Sequence, residues 1–421
     1  MTPNSEERFD GGSAPVTVLS DDLLAEHVVE DPHSYFSHLR ETSPVHWNKA
    51  FRAWVVTRHA DCLAVLKSPN FAADTVSPYF ENRLSEREQT KWRPLFDVLR
   101  TWIVFKDPPD HARLRGLMRG AFTPRVVEAI RPAVQRMAST LLPAGEGRHE
   151  VNLIEEFAFP LPAWVISSMV GVHQEDLWLV SEWSKDIVEV AQGSLGSGDR
   201  RQRAQTAMLE FREYLRPIVE DRRRNPRDND LLTELITAET ESHQLTVDEL
   251  LGGAILLLVA GHETTQNLLA NCVIALARNP EQYRRLKEDR SLVRGTVEET
   301  LRFDGPVKSL LRVAVDEVQI GAVTVAKGDR VLISVAGANR DPRKFNDPDF
   351  FDVGRDASAQ LTFGQGIHYC LGAPLARLET QEALNLILDR YRSVRLLTDR
   401  IEYDPKVIAR TPLSVPVEFT S

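Results

Sequence analysis

The sequence predicts a mainly α-helical domain with a small β region, and three observations carry that prediction. A capping box at Thr246 and Glu249 opens a helical pattern that stays unbroken until Pro280. Shorter helical segments, set apart by turn residues, fill much of the chain before it. β-formers flank turns around Asn48 and Lys49 and again across 311–335.

Composition narrows the function classes. No Ser/Gly/Pro-rich linker divides the 421 residues, so 21–421 reads as a single domain behind a flexible, polar tail at 1–20. Lys plus Arg number 51 against 61 Asp plus Glu, a net charge of -10, which argues against a nucleic-acid binder and a polybasic membrane anchor. The N-terminus has no apolar core of a signal peptide, and the longest apolar run, 254–260, is far short of the roughly 20 residues a spanning helix needs. Cys62, Cys272 and Cys370 form an odd, widely spaced set, as in a reduced, cytoplasmic protein.

Taken in order, residues 44–57 read as a hairpin. The segment 71–105 scatters Tyr79, Phe80, Trp92, Phe96, Trp102 and Phe105 among charges without one period; it reads either as core packing under a long loop or as a wall that touches substrate. After Asp107-Pro108-Pro109 a helix carries His111 and Arg115 four apart, on one face. Helices are expected over 122–142 and 153–172, then over 174–190 and 201–224, with a glycine-rich connection at 192–199 that is a plain loop or the hinge of a lid.

The central helix would hold about 32 residues and run roughly 48 Å, apolar on nearly every face and so buried. At its middle lie Ala260, Gly261, His262, Glu263, Thr264 and Thr265, and polar groups in a buried helix need partners. His262-Glu263 begins like the zinc-protease motif, but Gln266 stands where the second histidine belongs. Glu299 and Arg302 share a helical face, 311–335 reads as strands turning at Gly321 and 327–329, and a proline-rich meander leads to Arg355.

The stretch 361–379, LTFGQGIHYCLGAPLARLE, organises the rest. Gly364 and Gly366 precede Cys370 and Gly372 follows it, letting the backbone turn tightly and approach a flat ligand. Good helix formers follow Pro374, so Cys370 sits at a loop-to-helix junction, where free N–H groups and the helix dipole favour a thiolate. The residues alone leave three roles open for Cys370: structural cysteine, nucleophile or metal ligand. No second cysteine or histidine stands at zinc spacing.

Phe363, Gly364, Gly366, His368, Cys370 and Gly372 together closely resemble the haem-binding signature of the cytochrome P-450 superfamily, whose haem ligand is a cysteine thiolate. Three more motifs stand in that family's order: His111-x-x-x-Arg115, the 260–265 turn and Glu299-x-x-Arg302, so the resemblance spans about residues 30–420. It implies the triangular haem-thiolate fold, with haem b between the central helix and the helix after the cysteine loop. Cys370 would then be the axial metal ligand, with His111, Arg115, Arg312 and His368 beside the propionates. It implies a monooxygenase that uses dioxygen, with Glu263 and Thr264 helping to deliver protons and Arg355 joining Glu299 and Arg302 in a structural lock. Leu256, Val259, Ala260, Val307 and 411–413 would line a pocket for a lipophilic small molecule; Lys308, by residue type alone, is either a solvated lysine or an anchor for a substrate carboxylate. No flavin or iron-sulfur module follows, so electrons would come to a monomer from a ferredoxin or flavodoxin with its reductase, docked near Arg113 or Arg119. A peroxide-driven enzyme and a non-catalytic haem or ligand-binding protein are the alternatives; product analysis with peroxide and with NADPH separates them.

Overall fold

The structure, a computed structural model, describes residues 21–191, 198–227, 230–240 and 245–421. The expected tail at 1–20 and most of the expected hinge at 192–199 lie outside the described residues.

The helix Val247–Arg278 runs through the core, and its 32 residues match the length expected from the sequence. The capping box at its start is formed in both directions: Thr246 Oγ1 accepts from the Glu249 N–H at 3.2 Å, and Glu249 Oε2 accepts from the Thr246 N–H at 2.9 Å. Asn279 leaves the helical region, and Pro280 begins the next helix, Pro280–Glu288. The helix is continuous through Gly261. A Cβ at Gly261 would stand 2.8 Å from Ile166 Cγ1, so this glycine admits the crossing helix Pro160–Val170. Close packing offsets the roughly 1 kcal/mol that glycine costs a helix interior.

The β region lies to one side. A five-stranded sheet has the order Val45–Asn48, Ala53–Val56, Arg330–Ser334, Ser309–Ala314, Phe71–Ala72. Only the Ala53–Val56 and Arg330–Ser334 pair is parallel, with Trp54 opposite Val331. The 44–57 hairpin forms with Val45 opposite Val56, and Val318–Ile320 pairs with Val323–Val325 through a turn at Gly321. Arg148–Asn152, Pro416–Thr420 and Ser393–Leu396 make a separate sheet.

The segment 71–105 is helical where a long loop was one reading. It forms Val76–Arg83, Glu86–Leu99 and a 3₁₀ turn Ile103–Phe105. The start of the second helix is a capping box of Ser85 and Glu88, a signal that Pro94 inside the helix obscured. Phe80, Trp92, Phe96 and Trp102 are buried in the core, and Trp102 also lines the main cavity together with Tyr79 and Phe105. The segment thus serves both as core and as cavity wall.

Glu299, Arg302 and Arg355 meet in the core. Arg302 holds both Glu299 oxygens, at 2.7 and 2.8 Å, and both side chains are completely buried. The remaining guanidinium hydrogens go to the carbonyls of Asn339, Pro348 and Phe350. Glu299 also accepts from Arg355 Nε at 3.2 Å and from the Asp352 N–H at 3.0 Å. One helix, Val293–Asp304, is thereby tied to the meander that precedes the cysteine loop. Among the described residues, no helix is long and apolar enough to cross a membrane.

Removing one partner of a buried pair leaves the other charge unpaired, which costs about 3–5 kcal/mol. Arg302→Ala is therefore expected to lower the unfolding free energy by that amount, with a correspondingly lower denaturant midpoint, or to prevent folding. A midpoint within the error of wild type would contradict this account of the network.

Candidate active site

The cysteine loop is held by contacts that its composition requires. Gly364 and Gly366 both have positive φ, +69° and +73°, and a Cβ at Gly366 would come within 2.9 Å of the Leu66 carbonyl oxygen. No other residue fits there without displacing backbone. The Cys370 N–H donates to Phe363 O at 2.8 Å and closes the loop. The Arg377 guanidinium lies 4.5 Å over the Phe363 ring while it donates to Glu298 Oε2 at 2.9 Å and to the Tyr369 hydroxyl at 3.1 Å.

Beyond Cys370 the helix Ala373–Arg390 begins, and the backbone N–H groups of Gly372 and Ala373 at its start favour the charged form of the sulfur. Burial pushes the Cys370 thiol up from its ordinary pKa, and those two N–H groups, with the Arg115 and Arg377 cations, pull it back. Such a sulfur loses its proton readily to a metal ion.

Cys370 faces a cavity of about 1000 Å³, at the upper end of the range for small-molecule sites. All eight residues expected around the cofactor line it: His111, Arg115, Arg312, Phe363, Gly364, His368, Cys370 and Gly372. A Cβ at Gly372 would meet nothing within 4 Å, so the loop leaves open space on that side. Four basic side chains gather here from three distant segments. The rings of His111 and His368 are 4.2 Å apart, and each has a buried Nε2 without a partner. Arg115 donates to Tyr369 O at 2.6 Å, and Arg312 to Leu311 O at 2.8 Å. Asp107, the acid near them, is occupied by the N–H groups of Ala73 and Asp74. Burial, followed by the cations of Arg312, His111 and Arg115, pushes His368 down to about 3.

Unpartnered ring nitrogens beside the Arg115 and Arg312 cations call for an anion. The two propionates of haem fit that demand, and a thiol at the bottom of an open cavity fits its iron, so these residues would hold the group if it binds.

The central helix contributes Leu256, Val259, Ala260, Glu263 and Thr264 to the same cavity, and Val307 joins them. Thr264 Oγ1 donates back to Ala260 O at 2.8 Å. With its hydrogen committed there, the hydroxyl can offer the cavity only its lone pairs. Glu263 is paired with Lys406, whose Nζ is 2.5 Å from Oε1, and Thr411 donates to the same oxygen at 3.3 Å. Lys406 was not foreseen, because 143 residues separate it from Glu263. Glu379 was also passed over, as an ordinary helix former. Its carboxyl is buried at the cavity with Oε2 unpartnered, and burial raises its pKa well above the carboxylate range.

Three expectations need correction. Residues 411–413 do not line the cavity; Thr411 is occupied with Asn267 and Glu263, and Leu413 is exposed. A bridge between Val307 and Ala409 turns Ile408 inward instead. Lys308 is buried away from the cavity, where burial and the nearby Arg410 cation push its ammonium down to about 7. Arg113 is not a free docking residue, since its guanidinium grips both oxygens of Glu249; Arg119 is exposed.

Comparison with known proteins bears on all of this. Residues 196–416 match the family profile described as Cytochrome P450. Cytochrome P450 107B1 of Saccharopolyspora erythraea is 37% identical over 414 residues, covering 96% of this chain and 98% of the relative. The cytochrome P450 monooxygenase PikC of Streptomyces venezuelae is 38% identical over 392 residues, covering 90% of this chain and 88% of the relative. The crystal structure of P450BioI in complex with an acyl carrier protein ligated to hexadec-9Z-enoic acid superposes with a TM-score of 0.85 at 34% identity, covering 94% of this chain and 99% of that one. The chain belongs to the cytochrome P450 superfamily, and is a haem b-binding oxidoreductase of the monooxygenase class.

Proposed function

We propose that the protein hydroxylates or epoxidises a lipophilic small molecule, with one oxygen atom taken from dioxygen and electrons supplied by a separate ferredoxin or flavodoxin. The observation that carries this reading is the Cys370 sulfur, placed just before the start of the helix Ala373–Arg390 and facing a large cavity that Thr264 and apolar residues of the central helix also line. When bound, haem with a thiolate ligand supplies the chemistry that cleaves dioxygen and oxidises a C–H or C=C bond.

The chain's own residues would do the rest. His111, Arg115, Arg312 and His368 would fix the cofactor's orientation through its carboxylates, and the backbone N–H groups would hold the sulfur's charge. Leu256, Val259 and Val307 would exclude water and favour an apolar substrate. Thr264 Oγ1 would accept a hydrogen bond from an ordered water. Glu263 would pass protons inward from Lys406, which is 20% exposed. Arg119, exposed at the end of the helix Asp110–Arg119, is the cation we assign to steering an acidic electron donor.

Cys370→Ser is expected to keep much of the fold while losing the thiolate-type ferrous–carbon monoxide spectrum, because a neutral hydroxyl is a far weaker donor than a thiolate. A thiolate-type spectrum in that variant would mean that another residue is the ligand. In Thr264→Ala, substrate affinity and haem content are expected to persist while reducing equivalents divert to hydrogen peroxide. Product formed per NADPH consumed is the measurement, and unchanged coupling would reduce Thr264 to its bond with Ala260.

A further inference from the structure

Exposed residues mark where the cavity reaches solvent: Arg52, Asn82 and Arg83 both line it and face water. Arg330 lines it as well, half-buried. Three separate elements bring these arginines to the opening. Arg52 occupies the turn between Val45–Asn48 and Ala53–Val56. Arg83 ends the helix Val76–Arg83, and Arg330 heads Arg330–Ser334. The parallel pairing of Trp54 with Val331 sets Arg330 alongside the turn. There its guanidinium lies 4.5 Å over the Phe51 ring, with Nη1 donating to Phe51 O at 3.2 Å.

Among the described residues, none of the three guanidiniums has a carboxylate partner within salt-bridge distance. Asp329 lines the opening, but its Oδ2 accepts from Trp54 Nε1 at 2.9 Å and from the Ala326 N–H at 3.1 Å. Glu81, two residues before Arg83, is paired with Arg100 at 3.0 Å. Burial, with the Arg83 cation next in effect, pulls the Arg330 pKa down, and the Asp329 carboxylate is a single negative charge among three guanidiniums at the opening. A net positive cluster in a chain of net charge -10 is not the average of its surface. It lies beyond the His111, Arg115, Arg312 and His368 group, so the haem carboxylates do not account for it.

We propose that Arg52, Arg83 and Arg330 bind an anionic oxyacid group at one end of a lipophilic substrate whose apolar part extends into the cavity toward Cys370. This deepens, and rests on, the monooxygenase reading above. Guanidinium forks match carboxylate and phosphate oxygens, and the apolar lining inward of them takes a hydrocarbon chain or ring system. The substrate class is thus an amphipathic acid: a free carboxylic acid, or a phosphate ester of the same lipophilic body. Buried Lys308, outside the cavity lining, is not the anchor.

The test titrates the haem-loaded enzyme with dodecanoic acid, methyl dodecanoate and dodecyl phosphate, reading dissociation constants from the shift of the haem absorption band. Wild type is compared with the Arg52→Gln/Arg83→Gln/Arg330→Gln variant. Because Arg330 also bonds backbone, Arg52→Glu/Arg83→Glu, which alters two exposed side chains, is measured alongside. At least tenfold tighter binding of an anion than of the ester is expected in wild type. That preference is expected to weaken with salt and to disappear in both variants while ester affinity stays unchanged. A preference for dodecanoic acid assigns a free carboxylate, and one for dodecyl phosphate alone assigns a phosphate ester. Equal affinity for acid, phosphate and ester, no binding of any, or a preference that survives both variants overturns the proposal. The ferrous–carbon monoxide spectrum of each sample depends on Cys370 and not on these arginines, so failure of the haem-thiolate reading would be seen separately.

Discussion

Buried cations and unpartnered polar nitrogens are costly in a protein interior, and this chain gathers two arginines and two histidines around one cavity. His111 and Arg115 come from the helix Asp110–Arg119, Arg312 from a strand, and His368 from the cysteine loop. Two imidazole nitrogens are left buried and unpartnered, and the nearby Asp107 is already occupied by backbone N–H groups. Each unsatisfied group costs on the order of 1–3 kcal/mol. The arrangement makes sense as half of an interaction whose other half is a dianion. Haem would provide that dianion, and Cys370, which lines the same cavity, would hold its iron.

The rest of the scaffold holds those groups in register. The Glu299, Arg302 and Arg355 network fastens the meander, and the meander delivers the loop in which Gly366 lies against the Leu66 carbonyl. On the central helix, Gly261 lets Ile166 approach, which fixes the neighbouring Ala260, Glu263 and Thr264 relative to the crossing helix. Glu263 is restrained further by Lys406 and Thr411. Positioning of this kind, with the hard chemistry left to a cofactor, is how a single fold can accept varied substrates.

What the sequence made legible was local. The capping box at Thr246 and Glu249 and the stop at Pro280 bounded the central helix, because both signals act within a few residues. The glycines around Cys370 announced a tight loop for the same reason. Readings failed where a partner lay far along the chain. Arg113 looked free because Glu249 is 136 residues away, and Lys406 was invisible beside Glu263. The inward face of the segment near Ile408 is set by bridges from Val307 to Ala409 and from Tyr403 to Pro412, which no local periodicity encodes. Ser85 and Glu88 show that a local signal can also be missed when a proline follows it.

A crystal structure of the haem-loaded protein tests the central claim most directly. The account requires sulfur of Cys370 on the iron, with propionate oxygens within hydrogen-bond distance of His111 Nε2 and His368 Nε2 and facing the guanidiniums of Arg115 and Arg312. Propionates directed elsewhere with those two nitrogens still unpartnered, or a nitrogen ligand in place of sulfur, would contradict it.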